Sequence, residues 1–180
     1  MWKDLYRYEG DRSRSWKIRL KYIFFVPGYT YTFFFRRAQN AGNVLSRFLW
    51  KVILRVISYT THIQIPATTK ICEGLYIGHY GLIVINPAAV IGKNFSISAG
   101  TLIGNAGGKH PGTPVIGDNV KMGQFSIVIG GVKIGNDVLI APGAFVNFDV
   151  PDNSIVIGNP GKIISRIESP TKPYIVYPID

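Results

Sequence analysis

Two histidines stand where a repeating sequence breaks step, and each break is a place that can house chemistry. His79 lies in "LYIGHYGLIVIN" and His110 in "NAGGKHPGTP", directly after Lys109. An imidazole, with an ordinary pKa of about 6.5, suits the removal of a proton from a hydroxyl near neutral pH. The remaining histidine, His62, precedes the repeats and is given no catalytic part. A zinc site of the carbonic anhydrase kind needs three imidazoles; only two fall within the repeats, so no metal is expected. The single cysteine, Cys72, takes the small position after Ile71 and reads as a small buried residue rather than an acyl carrier.

These residues must be positioned by an unusual element. Ile116, Met122, Val128, Ile134, Ile140 and Val146 recur every six residues, and the next position is mostly small: Gly117, Gly123, Ile129, Gly135, Ala141. Four places after each apolar residue comes a second set, Val120, Ser126, Val132, Val138, Ala144 and Val150. Upstream, Ile65, Ile71 and Ile77 keep the same beat; Ile85, Ile91, Ile97 and Ile103 resume it two residues late, just past His79. The stretch between Ile103 and Ile116, which holds His110, is the one long interruption, and it is expected to project as a loop. A period of six fits neither a helix nor a sustained alternating strand. It calls for a coil of short strands with one aliphatic per turn pointing inward and a small residue easing each corner. Three such turns close one rung, so residues 65–151 supply four to five rungs.

The first third has another texture. Residues 2–9 suggest a short helix, Pro27 and Gly28 open a second that closes near Gly42, and "NVLSRFLWKVILRVISY" carries a broad apolar stripe with Arg47, Lys51 and Arg55 along another face. The expected organisation is a helical region over 1–62, a coil over 63–164 and a tail over 165–180. Residues 1–62 hold 12 Lys and Arg against 3 acids, whereas the rest holds 8 against 7. That asymmetry predicts either an anionic neighbour, such as a membrane surface, or a plain solvated basic face. The N-terminus shows no signal peptide pattern, the longest charge-free apolar run near it (Tyr22–Phe35) is too short to span a bilayer, and one cysteine asks for no oxidising compartment; a cytoplasmic location is expected.

The [Ile/Val]-Gly-x-x-x-x repeats resemble those of hexapeptide-repeat acyltransferases. "IPATTKICEGLYIGHYGLIVINPAAVIGKNFSISAGTLIGN", "GGKHP" and "VPDNSIVIGNPGKII" resemble, in order, landmarks of the serine acetyltransferase group; within it the pattern is most similar to shorter enzymes of colanic acid and capsule biosynthesis. The resemblance implies a mainly β fold, a left-handed parallel β-helix with an N-terminal α-helical cap, assembled as a homotrimer. It implies acetyl-CoA as co-substrate, His79 as catalytic base, and His110 with Lys109 holding the acceptor. It also implies a donor site along the coil near Gly104, Asn105, Gly123 and Ala141, with Lys162 for the nucleotide phosphates and backbone amides of the glycine-rich corners as oxyanion donors.

Three departures bear on the acceptor. The group carries an acid before the catalytic histidine, where this chain has Gly78, and another near the start of the coil, where it has Gln64; its basic residue before the second histidine is Arg, here Lys109. Losing an acid weakens recognition of an amino acid's ammonium, so a sugar hydroxyl is the expected acceptor and serine the alternative. A rival of another class is a non-catalytic basic scaffold that binds lipid or nucleic acid with steep salt dependence. For the enzyme reading no nucleic acid partner is expected, and peripheral contact with an anionic inner membrane is.

Overall fold

The computed structural model describes residues 2–180. Four helices come first: α1 (Trp2–Glu9), a 3-10 turn (Gly10–Arg14), α2 (Trp16–Phe25), α3 (Pro27–Gln39) and α4 (Val44–Thr61). Pro27 opens α3 and the Asn43 side chain caps α4 by accepting from the Ser46 amide. His62 ends α4 in the left-handed conformation, which is a structural role.

From Ile63 onward the chain winds as a three-sided coil. One sheet stacks β1 (Ile63–Gln64), β4 (Ile83–Ile85), β7 (Leu102–Gly104), β10 (Ile127–Ile129) and β13 (Phe145–Val146). The second holds β2 (Lys70–Ile71), β5 (Val90–Ile91), β8 (Val115–Ile116) and β11 (Lys133–Ile134). The third holds β3 (Tyr76–Ile77), β6 (Ser96–Ile97), β9 (Lys121–Met122), β12 (Leu139–Ile140) and β14 (Ser154–Ile157), closed by an antiparallel β15 (Lys162–Ser165). All other sheet pairings are parallel.

The registers explain the rhythm. Where the coil is regular, Ile116 stacks on Ile134 and Met122 on Ile140, 18 residues apart. Across the slip after Ile77 the spacing is 20, Ile71 on Ile91; across the interruption it is 25, Ile91 on Ile116. The inward aliphatics and the set four places later are almost wholly buried, so both expected faces of the repeat form the core. The small positions are equally physical: a Cβ on Gly117 would stand 2.8 Å from the Gly135 carbonyl of the next coil.

Sequence periodicity gave no hint of the corner between the second and third sheets. Asn94, Asn119, Asp137 and Asn153 all adopt positive φ there, 52–57°, a conformation that short polar side chains tolerate best after glycine. Asn94 donates to Asn119 Oδ1 (3.0 Å) and Asn119 to Asp137 Oδ1 (3.3 Å). The C-terminal tail ties onto this ladder: Asn94 exchanges two hydrogen bonds with the Ile179 backbone, and Ser169 donates to Asp137.

An open coil leaves its first strands with unpaired backbone groups. The helices supply side chains in their place. Tyr31 Oη accepts from the Ile65 amide and donates to the Ile65 carbonyl, and Tyr8 Oη does the same at Ile77. Arg36 donates to the Ile71 and Cys72 carbonyls while pairing with buried Asp4, which accepts from the Gly74 and Leu75 amides. Arg7 donates to the Gly74 carbonyl, and burial brings its pKa down to about 10. Cys72 itself is exposed, against the expectation of burial: on this first coil the position after the inward Ile71 faces out.

Candidate functional site

The residues singled out in the sequence gather on two edges of the first sheet. Gly78, Ser98, Gly123 and Ala141 follow Ile77, Ile97, Met122 and Ile140, which are stacked partners of the third sheet. They form a column of small residues at the corner where the chain enters the first sheet. Ile157 continues it, and Lys162 is register partner to Ile157. Lys162 thus stands at the foot of the column, about 24 Å from its head, as five steps of ~4.8 Å.

His79 is at the head. The two extra residues of the slip widen this corner, with Gly81 and Leu82 at φ 108° and 51°. His79 and Tyr80 are exposed beside them. The corner is held from behind. Tyr8 grips both backbone groups of Ile77, and a Cβ on Gly28 would come within 2.3 Å of the Ile77 carbonyl. Burial pushes the Tyr8 phenol up, so it stays protonated and keeps its donor. Tyr8 and Gly28 therefore fix the strand that presents His79. Sequence reasoning missed both, because their partner lies some 50 to 70 positions away and nothing local marks them.

The other edge, where the chain leaves the first sheet, holds Gly104, Asn105, Lys109 and His110. The interruption is a tight hairpin with Ala106 bridged to Gly112. It does not simply project. The Gly131 amide donates to the His110 carbonyl (2.9 Å), and a Cβ on Gly130 or Gly131 would meet the His110 or Pro111 carbonyl at 2.7 or 2.4 Å. Two glycines in the next coil thus make the seat for this loop. Lys109 is exposed and His110 half-buried.

Gly104 and Asn105 belong with this edge and not with Gly123 and Ala141. They line a groove of about 320 Å³ with Gln64, Pro66, Asn86 and Pro87. Gln64 also borders a neighbouring groove of about 370 Å³ formed with Lys51, Arg55 and Ser58 of α4. Within one chain, then, His79 and His110 sit at opposite edges of a sheet whose central strands are three residues long, about 10 Å.

The amides of Gly78, Gly123 and Ala141 donate to the Ile97, Ile140 and Val156 carbonyls of the adjoining coils. These three are committed to the ladder and are not free as oxyanion donors, contrary to the sequence expectation. Among the described residues, neither imidazole has a hydrogen-bond partner in its own chain, and no three of His, Cys, Asp and Glu cluster as a metal site would require.

Residues 113–147, inside this coil, match the family described as bacterial transferase hexapeptide (six repeats). Serine acetyltransferase 2 of Arabidopsis thaliana is 33% identical over 148 residues, covering 81% of this chain and 46% of that protein. The serine acetyltransferase of Mycobacterium tuberculosis is 30% identical over 168 residues, covering 91% of this chain and 72% of its own length. Among solved structures, soybean serine acetyltransferase complexed with serine superposes with a TM-score of 0.73 at 26% identity, covering 90% of this chain and 68% of that one. The chain spans a little under half the length of the first curated relatives it matches. The stacked six-residue coil behind a helical cap and the likeness to the tuberculosis protein over most of both lengths lead to one conclusion: this chain belongs to the serine acetyltransferase family.

Proposed function

We propose that the chain is an acetyl-CoA-dependent O-acetyltransferase with His79 as the general base. The observation that carries this reading is that His79 stands at the head of a column of four small residues, Gly78, Ser98, Gly123 and Ala141, that continues through Ile157 to Lys162. The four small positions let an extended pantetheine arm lie close to the backbone, and the ammonium of Lys162, beyond Ile157, meets the nucleotide phosphates as a point charge. The thioester carbon then lies near His79. The acceptor oxygen attacks that carbon as its proton passes to the imidazole, the carbon–sulfur bond breaks, and the thiolate leaves and takes the proton back. Because the Gly78, Gly123 and Ala141 amides are engaged, charge on the tetrahedral oxygen is met by groups other than these three.

The two edges of the first sheet are half-sites. In the left-handed homotrimer that the family resemblance implies, a neighbouring protomer would appose its Lys109 and His110 edge to this His79 edge and complete the cleft. The acceptor best supported is free serine: the relatives are named for it, and one solved neighbour is a complex with serine. A sugar hydroxyl, the first expectation from the sequence and the acceptor in capsule-type enzymes, is a second reading. It is favoured by one specific feature, Gly78 and Gln64 where the group has acids. Contact of the cap with an anionic membrane concerns the helical surface and stands apart from this chemistry.

The test is free thiol release from acetyl-CoA with serine, simple sugars and polysaccharide fragments. Release with serine supports the proposal, and release with sugars alone supports the second reading. No release with any acceptor and no CoA binding refutes both and leaves the polyanion-binding scaffold. His79→Ala is expected to keep the fold and lower turnover by about 10²- to 10⁴-fold; an unchanged rate removes His79 as the base.

A further inference from the structure

The stripe that makes α4 amphipathic faces outward. Leu45, Phe48, Val52, Val56 and Tyr59 follow one another at three- and four-residue steps along one side of the helix. All are exposed; Leu45 and Phe48 are 78% and 66% accessible. The opposite side, Trp50, Leu54 and Ile57, packs on the core. Arg47, Lys51 and Arg55 run beside the apolar stripe at intervals of four. The arrangement recurs on α2, where Trp16, Leu20 and Phe24 are exposed and Lys17 and Lys21 follow one position behind. Neither helix contains an acid. A helix packed on a protein ordinarily turns polar residues to solvent; these two turn out large apolar residues edged with positive charge.

We propose that this face, centred on α4 and extended by α2, docks on an anionic lipid surface. Exposed apolar side chains flanked by Lys and Arg are the signature of a helix lying in a membrane interface, the stripe among acyl chains and the bases among headgroups. Among the described residues no helix is long and apolar enough to cross a membrane, so the chain lies on the surface by this face. A second copy of the chain is a poor match for it. Six bases on the two helices have no acid within ion-pair distance among the described residues. Of the chain's ten acids, Asp4, Glu9, Asp11 and Glu73 are paired with Arg36, Arg12, Arg14 and Lys3. Asp118, Asp137, Asp149 and Asp152 accept hydrogen bonds within the coil. The chain carries a net charge of +10, so a second copy brings charge of the same sign to this face, whereas anionic lipid supplies the opposite sign in excess.

The experiment is co-sedimentation of the full chain with vesicles of phosphatidylcholine alone and of phosphatidylcholine with phosphatidylglycerol in equal parts. Binding is expected only to the anionic vesicles and is expected to weaken with salt. Replacing Arg47, Lys51 and Arg55 together by Gln should lower partitioning about a hundredfold. Phe48→Ser with Val52→Ser should also lower it, with the circular dichroism spectrum unchanged. Equal binding to both vesicle types, or none, overturns the proposal. So does a fall in oligomer mass by sedimentation velocity for the Phe48/Val52 variant, which would place a second copy on this face.

Discussion

Tyr8 and Tyr31 make a matched pair whose deletion separates holding the coil from placing the base. Each hydroxyl accepts from one backbone amide and donates to the carbonyl of the same residue, Ile77 for Tyr8 (2.9 and 3.1 Å) and Ile65 for Tyr31 (3.0 and 2.9 Å). Ile65 and Ile77 are themselves 1% exposed. Changing either tyrosine to Phe leaves two buried backbone groups without partners at about 1–3 kcal/mol each, so about 2–6 kcal/mol for either variant. Equilibrium unfolding in guanidinium chloride, followed by circular dichroism, should show similar losses for both. The consequences for turnover should differ. Ile77 is two residues from His79, while Ile65 is twelve residues earlier. A shift of 1 Å at a catalytic group can cost up to about a hundredfold, so Tyr8→Phe should lower kcat by about ten- to a hundredfold with KM for acetyl-CoA little changed, and Tyr31→Phe should leave kcat near that of the parent. Equal kcat for the two variants would refute Tyr8 as a positioning residue, and unaltered stability in both would refute the view that side chains of the cap stand in for a missing coil.

Two further outcomes follow from the fold. Gly117→Ala puts a Cβ 2.6 Å from Asn136 Oδ1 and 2.8 Å from the Gly135 carbonyl, and should destabilise by about 1–3 kcal/mol; Gly42→Ala, with nothing within 4 Å, should be neutral or slightly stabilising by chemical denaturation. Burial pushes Tyr29 and Tyr31 up to about 12 from an ordinary 10. Their contribution to stability is therefore complete below pH 10 and lost as pH rises to about 12, so a spectrophotometric titration should show these phenols ionising only together with alkaline unfolding; ionisation near pH 10 in the folded protein would contradict their burial.

The coil could be read in the sequence because its period is local. One inward aliphatic in every six residues, with a small neighbour, is imposed by each flat strand and its corner, and every repeat obeys it alone. For the same reason the two irregularities, after Ile77 and after Ile103, marked the histidine-bearing corners without any structure. What the period left open is everything that depends on which coil lies above which. The positive-φ ladder from Asn94 to Asn153 is spread over spacings set by the insertions, and the clamps from Asp4, Tyr8, Tyr31 and Arg36 join residues 32 to 71 positions apart. The outward turn of the α4 stripe was equally hidden, since amphipathicity fixes two faces of a helix but not which of them meets the core. Composition and spacing therefore determined the coil, its inward residues and the breaks that carry His79 and His110. Only the tertiary stacking decided that these histidines stand on opposite edges of one sheet, because the strand that separates them is short in sequence yet rigid across the width of the coil.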